Sequence, residues 1–66
     1  MEFNVKRLRE KKGWTQAELS EASGVGRITI SRLESGVLKE TSAGTLMKLA
    51  NALECTMNDI VTISHV

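Results

Sequence analysis

Apolar residues recur along this chain with the period of a helix. The clearest stretch is 43–53, where Leu46, Leu49, Ala50 and Leu53 fall at i, i+3, i+4 and i+7, the stripe of an amphipathic helix with one face turned inward. Ser42 stands where a cap belongs. Residues 4–12 read as an earlier helix, with Asn4 as its cap, Val5 and Leu8 on one face and Gly13 as terminator. Residues 16–23 form the next. Thr15 and Glu18 have capping-box spacing, Trp14 can staple onto Leu19, and Gly24 ends the run. Residues 27–35 give a third helix closed by Gly36. Thr56 and Asp59 cap a last turn over 57–61. The end, IVTISHV, has five β-branched residues among seven and favours leaving helix for strand.

The pattern predicts an all-α fold: one domain over residues 1–66, a compact bundle of four to five short helices with a short C-terminal strand. Composition agrees. Phe3 and Trp14 are the only aromatic residues and proline is absent, so an aliphatic core is expected. A chain of 66 residues buries a limited fraction of its surface, so association would help its stability.

Several function classes fall away. No apolar run approaches the ~20 residues of a membrane span, and the N-terminal stretch has no signal-peptide character. A cytoplasmic location is therefore expected, with no membrane partner. Cys55 is the single cysteine and His65 the single histidine. One chain thus offers neither a metal-ligand set nor a nucleophile–base pair. No cofactor, metal site or enzymatic activity is expected, and Cys55 reads as a small apolar filler.

Charge adds a little. The formal net charge is +1. Residues 1–22 carry five basic and four acidic groups. Residues 23–39 carry Arg27, Arg32 and Lys39 against Glu34. Residues 40–66 carry Lys48 against Glu40, Glu54 and Asp59. Positive charge leans toward the first two-thirds, an asymmetry too mild to name a partner alone.

The informative stretch is Gln16 to Ser35, two short helices about a tight turn at Gly24 and Val25. Leu19 faces inward, and Ser20 is small enough for the second helix to approach. With Ile30 and Leu33 set toward the core, ~100° per residue turns Ile28, Ser31, Arg32 and Ser35 outward, with Arg27 on a flank. Arginine can fork onto guanine, serine can bond bases or phosphates, and isoleucine can touch a thymine methyl. Each could also be an ordinary solvated side chain. Lys6, Lys11 and Lys12 suit a solvated face as well as phosphate contact.

These residues resemble the Cro/repressor-type, or XRE-like, helix-turn-helix family of transcriptional regulators. The matching positions are Leu8-Arg9-Glu10, Gly13, Gln16, Glu18, Leu19, Gly24-Val25, Ile30-Ser31, Leu33-Glu34 and Gly36, then the leucine-rich fourth helix; together they span about residues 4–61. The resemblance implies sequence-specific binding of double-stranded DNA through the major groove. Gln16 would touch backbone phosphate. Arg27, Ile28 and Arg32, with Ser31, would read bases, and Lys39 would donate to phosphate from the following loop. Arg9 and Glu34 would form a partly buried ion pair, in keeping with Glu34 falling beside the core face next to Ile30. The chain departs from the family in having Gly26 as cap of the recognition helix, Ser20 for an alanine, no proline after Gly36, and Glu54 for the glycine after the fourth helix.

One nine-residue recognition helix reads only a few base pairs, so a homodimer on a near-palindromic site is expected. Its interface is expected in residues 56–66, through Met57, Ile60, Val61, Ile63 and Val66, with the last strand pairing with its symmetry mate. Repression is the leading role. An antitoxin or immunity-type regulator that also holds a partner protein is one alternative, and a protein-interaction module on the same scaffold is another.

Overall fold

A computed structural model of the protein describes residues 2–38 and 41–62. The order is β1 (Glu2–Phe3), α1 (Val5–Lys11), α2 (Gln16–Ser23), α3 (Arg27–Ser35), α4 (Ala43–Leu53), α5 (Met57–Ile60) and β2 (Val61–Thr62). Five short helices enclose one aliphatic core of Val5, Leu19, Val25, Ile30, Leu33, Leu46, Leu49, Ala50, Leu53 and Ile60. Phe3, Leu8, Trp14, Cys55 and Met57 pack around it, half-buried. The fold is all-α apart from the two short strands.

Local chemistry sets the helix ends. At the start of α2 the Thr15 hydroxyl accepts from the Glu18 amide at 3.1 Å, and the Glu18 carboxylate accepts from the Thr15 amide at 3.0 Å. Thr56 and Asp59 make the same reciprocal pair at α5. Ser42 caps α4 by accepting from Thr45. Gly24 and Gly36, flanking α3, sit at φ +76° and +83°, a left-handed conformation that costs a side-chain-bearing residue about 1–2 kcal/mol. Glu54 holds the equivalent place after α4 at φ +55° without that freedom.

Two expectations are corrected. Asn4 makes no side-chain cap to α1; its amide nitrogen donates instead to the Asp59 carbonyl at 3.1 Å. Helix α1 begins at Val5, with the Asn4 carbonyl accepting its first backbone hydrogen bond, from Leu8, at 3.1 Å. The second correction concerns the end of the chain. Helix α5 stops at Ile60, and β2 pairs antiparallel with β1 of the same chain, Glu2 opposite Thr62 and Phe3 opposite Val61. The pairing at Val61 and Thr62 is thus intramolecular. Ile60 is fully buried, so it belongs to the core and cannot contribute to a dimer surface without unfolding. Met57 and Val61 are half-buried against the core, and Ile63 and Val66 lie outside the described residues.

Candidate nucleic-acid interface

Helix α3 is anchored on one side and bare on the other. Ile30 and Leu33 are buried, while Arg27, Ile28, Ser31, Arg32 and Ser35 are exposed. Ile28 is 69% exposed and lies on the same bare face as Arg27 and Arg32. Among the described residues, neither arginine enters an ion pair. The angle at which α3 leaves α2 is held by the turn. The Ser20 hydroxyl donates to the Val25 carbonyl at 2.7 Å, and the Val25 amide donates to the Ser23 hydroxyl at 3.1 Å. Val25 itself is buried. Ser20 therefore does more than leave room for the second helix: its hydroxyl closes the elbow.

Beneath this face lies a polar junction. The Arg9 guanidinium forks onto Glu34, Nε to Oε2 at 2.8 Å and Nη2 to Oε1 at 2.9 Å. Its remaining terminal nitrogen, Nη1, donates to the Trp14 carbonyl at 2.7 Å. Gln16 completes the set, Nε2 donating to Glu34 Oε1 at 3.1 Å. Four segments meet here: α1, the turn at Trp14, the start of α2 and the body of α3. The Glu34 side chain is only 4% exposed and that of Arg9 12%, so the fork is shielded from water and the charges are mutually compensated. Burial pushes the Glu34 carboxyl up. Hydrogen bonds from Arg9 and Gln16, with the positive charges of Arg9 and Lys6, outweigh it and leave Glu34 more acidic than usual. Arg9 is held above its ordinary value, first by its hydrogen bonds to Glu34.

A hollow of about 270 Å³ opens above this junction, lined by Lys6, Arg9, Gln16, Ser31, Glu34 and Ser35. It brings Gln16 and Ser31 together and adds Lys6 from α1. Sequence reasoning grouped Lys6 with Lys11 and Lys12, and the structure separates them. Lys11 and Lys12 line a different groove, between α1 and the α4–α5 end. Lys12 is committed there, 3.2 Å from Glu54 Oε1 and 5.1 Å from the centre of the Trp14 ring. The Gln16–Glu34 bond was also missed. The helical projection places Glu34 beside the core face next to Ile30, and it is the packing of α3 against α2 that supplies Gln16 as its neighbour. Lys39 lies outside the described residues.

Among the described residues there is no cluster of three or more potential metal ligands. No helix among them is long and apolar enough to cross a membrane. Cys55 is a free, half-buried thiol that burial pushes above its ordinary value.

Comparison with known proteins agrees with this geometry. The helix-turn-helix family pattern matches residues 5–60. Antitoxin HipB of Escherichia coli O6:H1 is 38% identical over 53 residues, covering 80% of this chain and 55% of that protein. The competence pilus inhibition repressor of Acinetobacter baylyi is 35% identical over 61 residues, 92% of this chain and 54% of that protein. The chain thus spans about half the length of the curated relatives it matches. Among solved structures, the biofilm master regulator SinR, crystallised in complex with DNA, superposes with a TM-score of 0.79 at 28% identity. The match covers 82% of this chain and 86% of that one.

Proposed function

Because the chain belongs to the helix-turn-helix family, of XRE type, we propose that it is a sequence-specific double-stranded DNA-binding regulator of transcription, acting as a repressor by blocking a promoter. The observation that carries this reading is the outward cluster of Arg27, Ile28, Ser31 and Arg32 on a helix whose opposite face is locked into the core. Such a helix fits the major groove, where guanine offers paired acceptors to arginine and thymine offers a methyl group to isoleucine. Gln16 and Lys39 act on the phosphate backbone.

The regulator works as a homodimer. Two α3 helices enter successive major grooves about 34 Å apart on a near-palindromic site. Of the residues expected at such an interface, Met57 and Val61 are the described ones that reach the surface, both half-buried against the core.

Selection of bound sites from a random duplex pool tests the reading, followed by affinity measurements across salt. A dimer neutralising about 4–8 phosphates gives a slope of log affinity on log salt of roughly −4 to −7. A slope near zero, with no enriched sequence, would overturn it.

A second reading is favoured by the similarity to antitoxin HipB: a regulator that uses the same DNA face and also holds a partner protein. The groove between α1 and the α4–α5 end, with Arg7 and Lys11 on its wall, contains no residue of α2 or α3 and so stays open when α3 is engaged. Co-purification of a neighbouring gene's product with the DNA-bound regulator supports this reading. Recovery of the regulator alone refutes it.

A further inference from the structure

The Glu34 carboxylate has no proton to give, so it dictates which end of the Gln16 amide faces it. The nitrogen must point inward to donate to Oε1. That leaves one Gln16 N–H and its carbonyl oxygen for the hollow. Without Glu34 the amide is free to turn over. The hollow is otherwise a poor place for an anion, because a carboxylate lies in its wall. Arg9 removes that objection by forking onto both carboxylate oxygens. The cation left uncommitted at the rim is Lys6, and Ser31 contributes a hydroxyl with no side-chain hydrogen bond among the described residues. Ser35 is already committed to the Arg32 carbonyl.

We propose that the Arg9–Glu34 pair is a working part of the DNA interface: Glu34 positions the Gln16 amide so that its remaining N–H, together with Lys6 and Ser31, seats one backbone phosphate in this hollow. The inference rests on the DNA-binding reading and deepens it. Gln16, Lys6 and Ser31 are the binding groups. Glu34 is a positioning residue that acts through Gln16, and Arg9 neutralises it so that a second anion can approach.

The test is a cycle of four proteins on the duplex selected by the wild type: wild type, Gln16→Ala, the double variant Arg9→Leu/Glu34→Leu, and the triple variant. Replacing both ionic partners strands no charge, so the double variant should keep its fold; circular dichroism at low temperature verifies this. A hydrogen bond to a charged group corresponds to roughly ten-fold or more in affinity. Gln16→Ala and the double variant should therefore each bind about ten-fold more weakly. The triple variant should be no weaker than the double. A purely structural pair gives a different result: the double variant binds like wild type, or Gln16→Ala exacts its full loss again in the double background. Either overturns the proposal.

A second measurement leaves the Arg9–Glu34 pair intact. Individual phosphates of the duplex are replaced by neutral methylphosphonates. One position per half-site should weaken the wild type about ten-fold while leaving Gln16→Ala and Lys6→Ala nearly unaffected. If every position weakens all three proteins equally, no phosphate is held in the hollow. Failure of the wild type to bind any duplex is a separate outcome, which refutes the DNA-binding reading itself.

Discussion

The backbone N–H of Asn4 donates to the carbonyl of Ile60 at 2.7 Å, joining the residue before α1 to the last residue of α5. The Asn4 side chain reinforces the tie by donating to Asp59. Ile60, directly at this junction, is fully buried. Truncation there removes buried methyl groups and leaves a cavity. Ile60→Ala is expected to lower unfolding free energy by about 2–5 kcal/mol, read from urea melts. Met57→Glu, on the half-buried rim, is expected to change the sedimentation mass from dimer to monomer with a much smaller loss of stability. A dimer that persists in Met57→Glu places the interface elsewhere.

Base readout predicts selective losses. Arg32→Ala should weaken binding to the preferred site by roughly 1–3 kcal/mol and relax preference at one base position per half-site. Ile28→Ala should weaken discrimination for thymine. A binding matrix for each variant checks both, and unchanged matrices with unchanged affinities would remove these residues from the interface.

The Arg9–Glu34 fork predicts a pH dependence with a definite sign. The Glu34 carboxyl is more acidic folded than unfolded, so its ionised form contributes stability above the unfolded value, near 4.3 for a free glutamate. That contribution disappears as pH falls through the lower, folded value. Urea midpoints should drop on acidification. Glu34→Ala should lower stability at neutral pH by about 3 kcal/mol or more, because the partly buried Arg9 is left without its partner, and should flatten the acid limb of the profile. Wild-type stability in Glu34→Ala would show that the fork contributes nothing.

Glu54 occupies a left-handed position at φ +55°, where glycine is at ease. Its side chain gives back only an exposed ion pair to Lys12, worth about 0–1 kcal/mol. Glu54→Gly should therefore stabilise by about 0.5–1 kcal/mol, a rise of several degrees in Tm for a domain this small. A lower Tm would mean that Lys12 depends on Glu54 more than an exposed pair should allow.

Much of this molecule is legible in its sequence where the cause is local. The bounds of α2, α3 and α4 follow from Thr15, Gly24, Gly36 and Ser42, residues whose preferences act within one turn. The outward face of α3 follows from the period of the helix once Ile30 and Leu33 are turned inward. Distant partners are another matter. Asn4 resembles a cap in sequence, but its amide finds Asp59 at the other end of the chain. Ile60 and Val61 look like exposed strand until β1 supplies the edge that pairs with Val61. Gln16 looks like a free polar contact until the packing of α3 brings Glu34 beside it. In each case the deciding neighbour is brought in by tertiary packing, which periodicity does not encode.

The register of Glu2 with Thr62 and Phe3 with Val61 gives the molecule an order of events in time. Packing of α2 on α3 closes a short loop, whereas β1 on β2 closes almost the whole chain. Closure entropy rises with loop length, so the local helix pair is expected to assemble before the strands meet. A contact formed after the folding barrier leaves the rate of entry unchanged and acts on the rate of escape. In stopped-flow chevrons, Phe3→Ala should leave the refolding arm in place and raise the unfolding arm. An equal slowing of refolding would put the strands in the nucleus instead. By this ordering the smallest sheet a protein can have acts as a timer, setting how long each folded copy lasts rather than how quickly it is made.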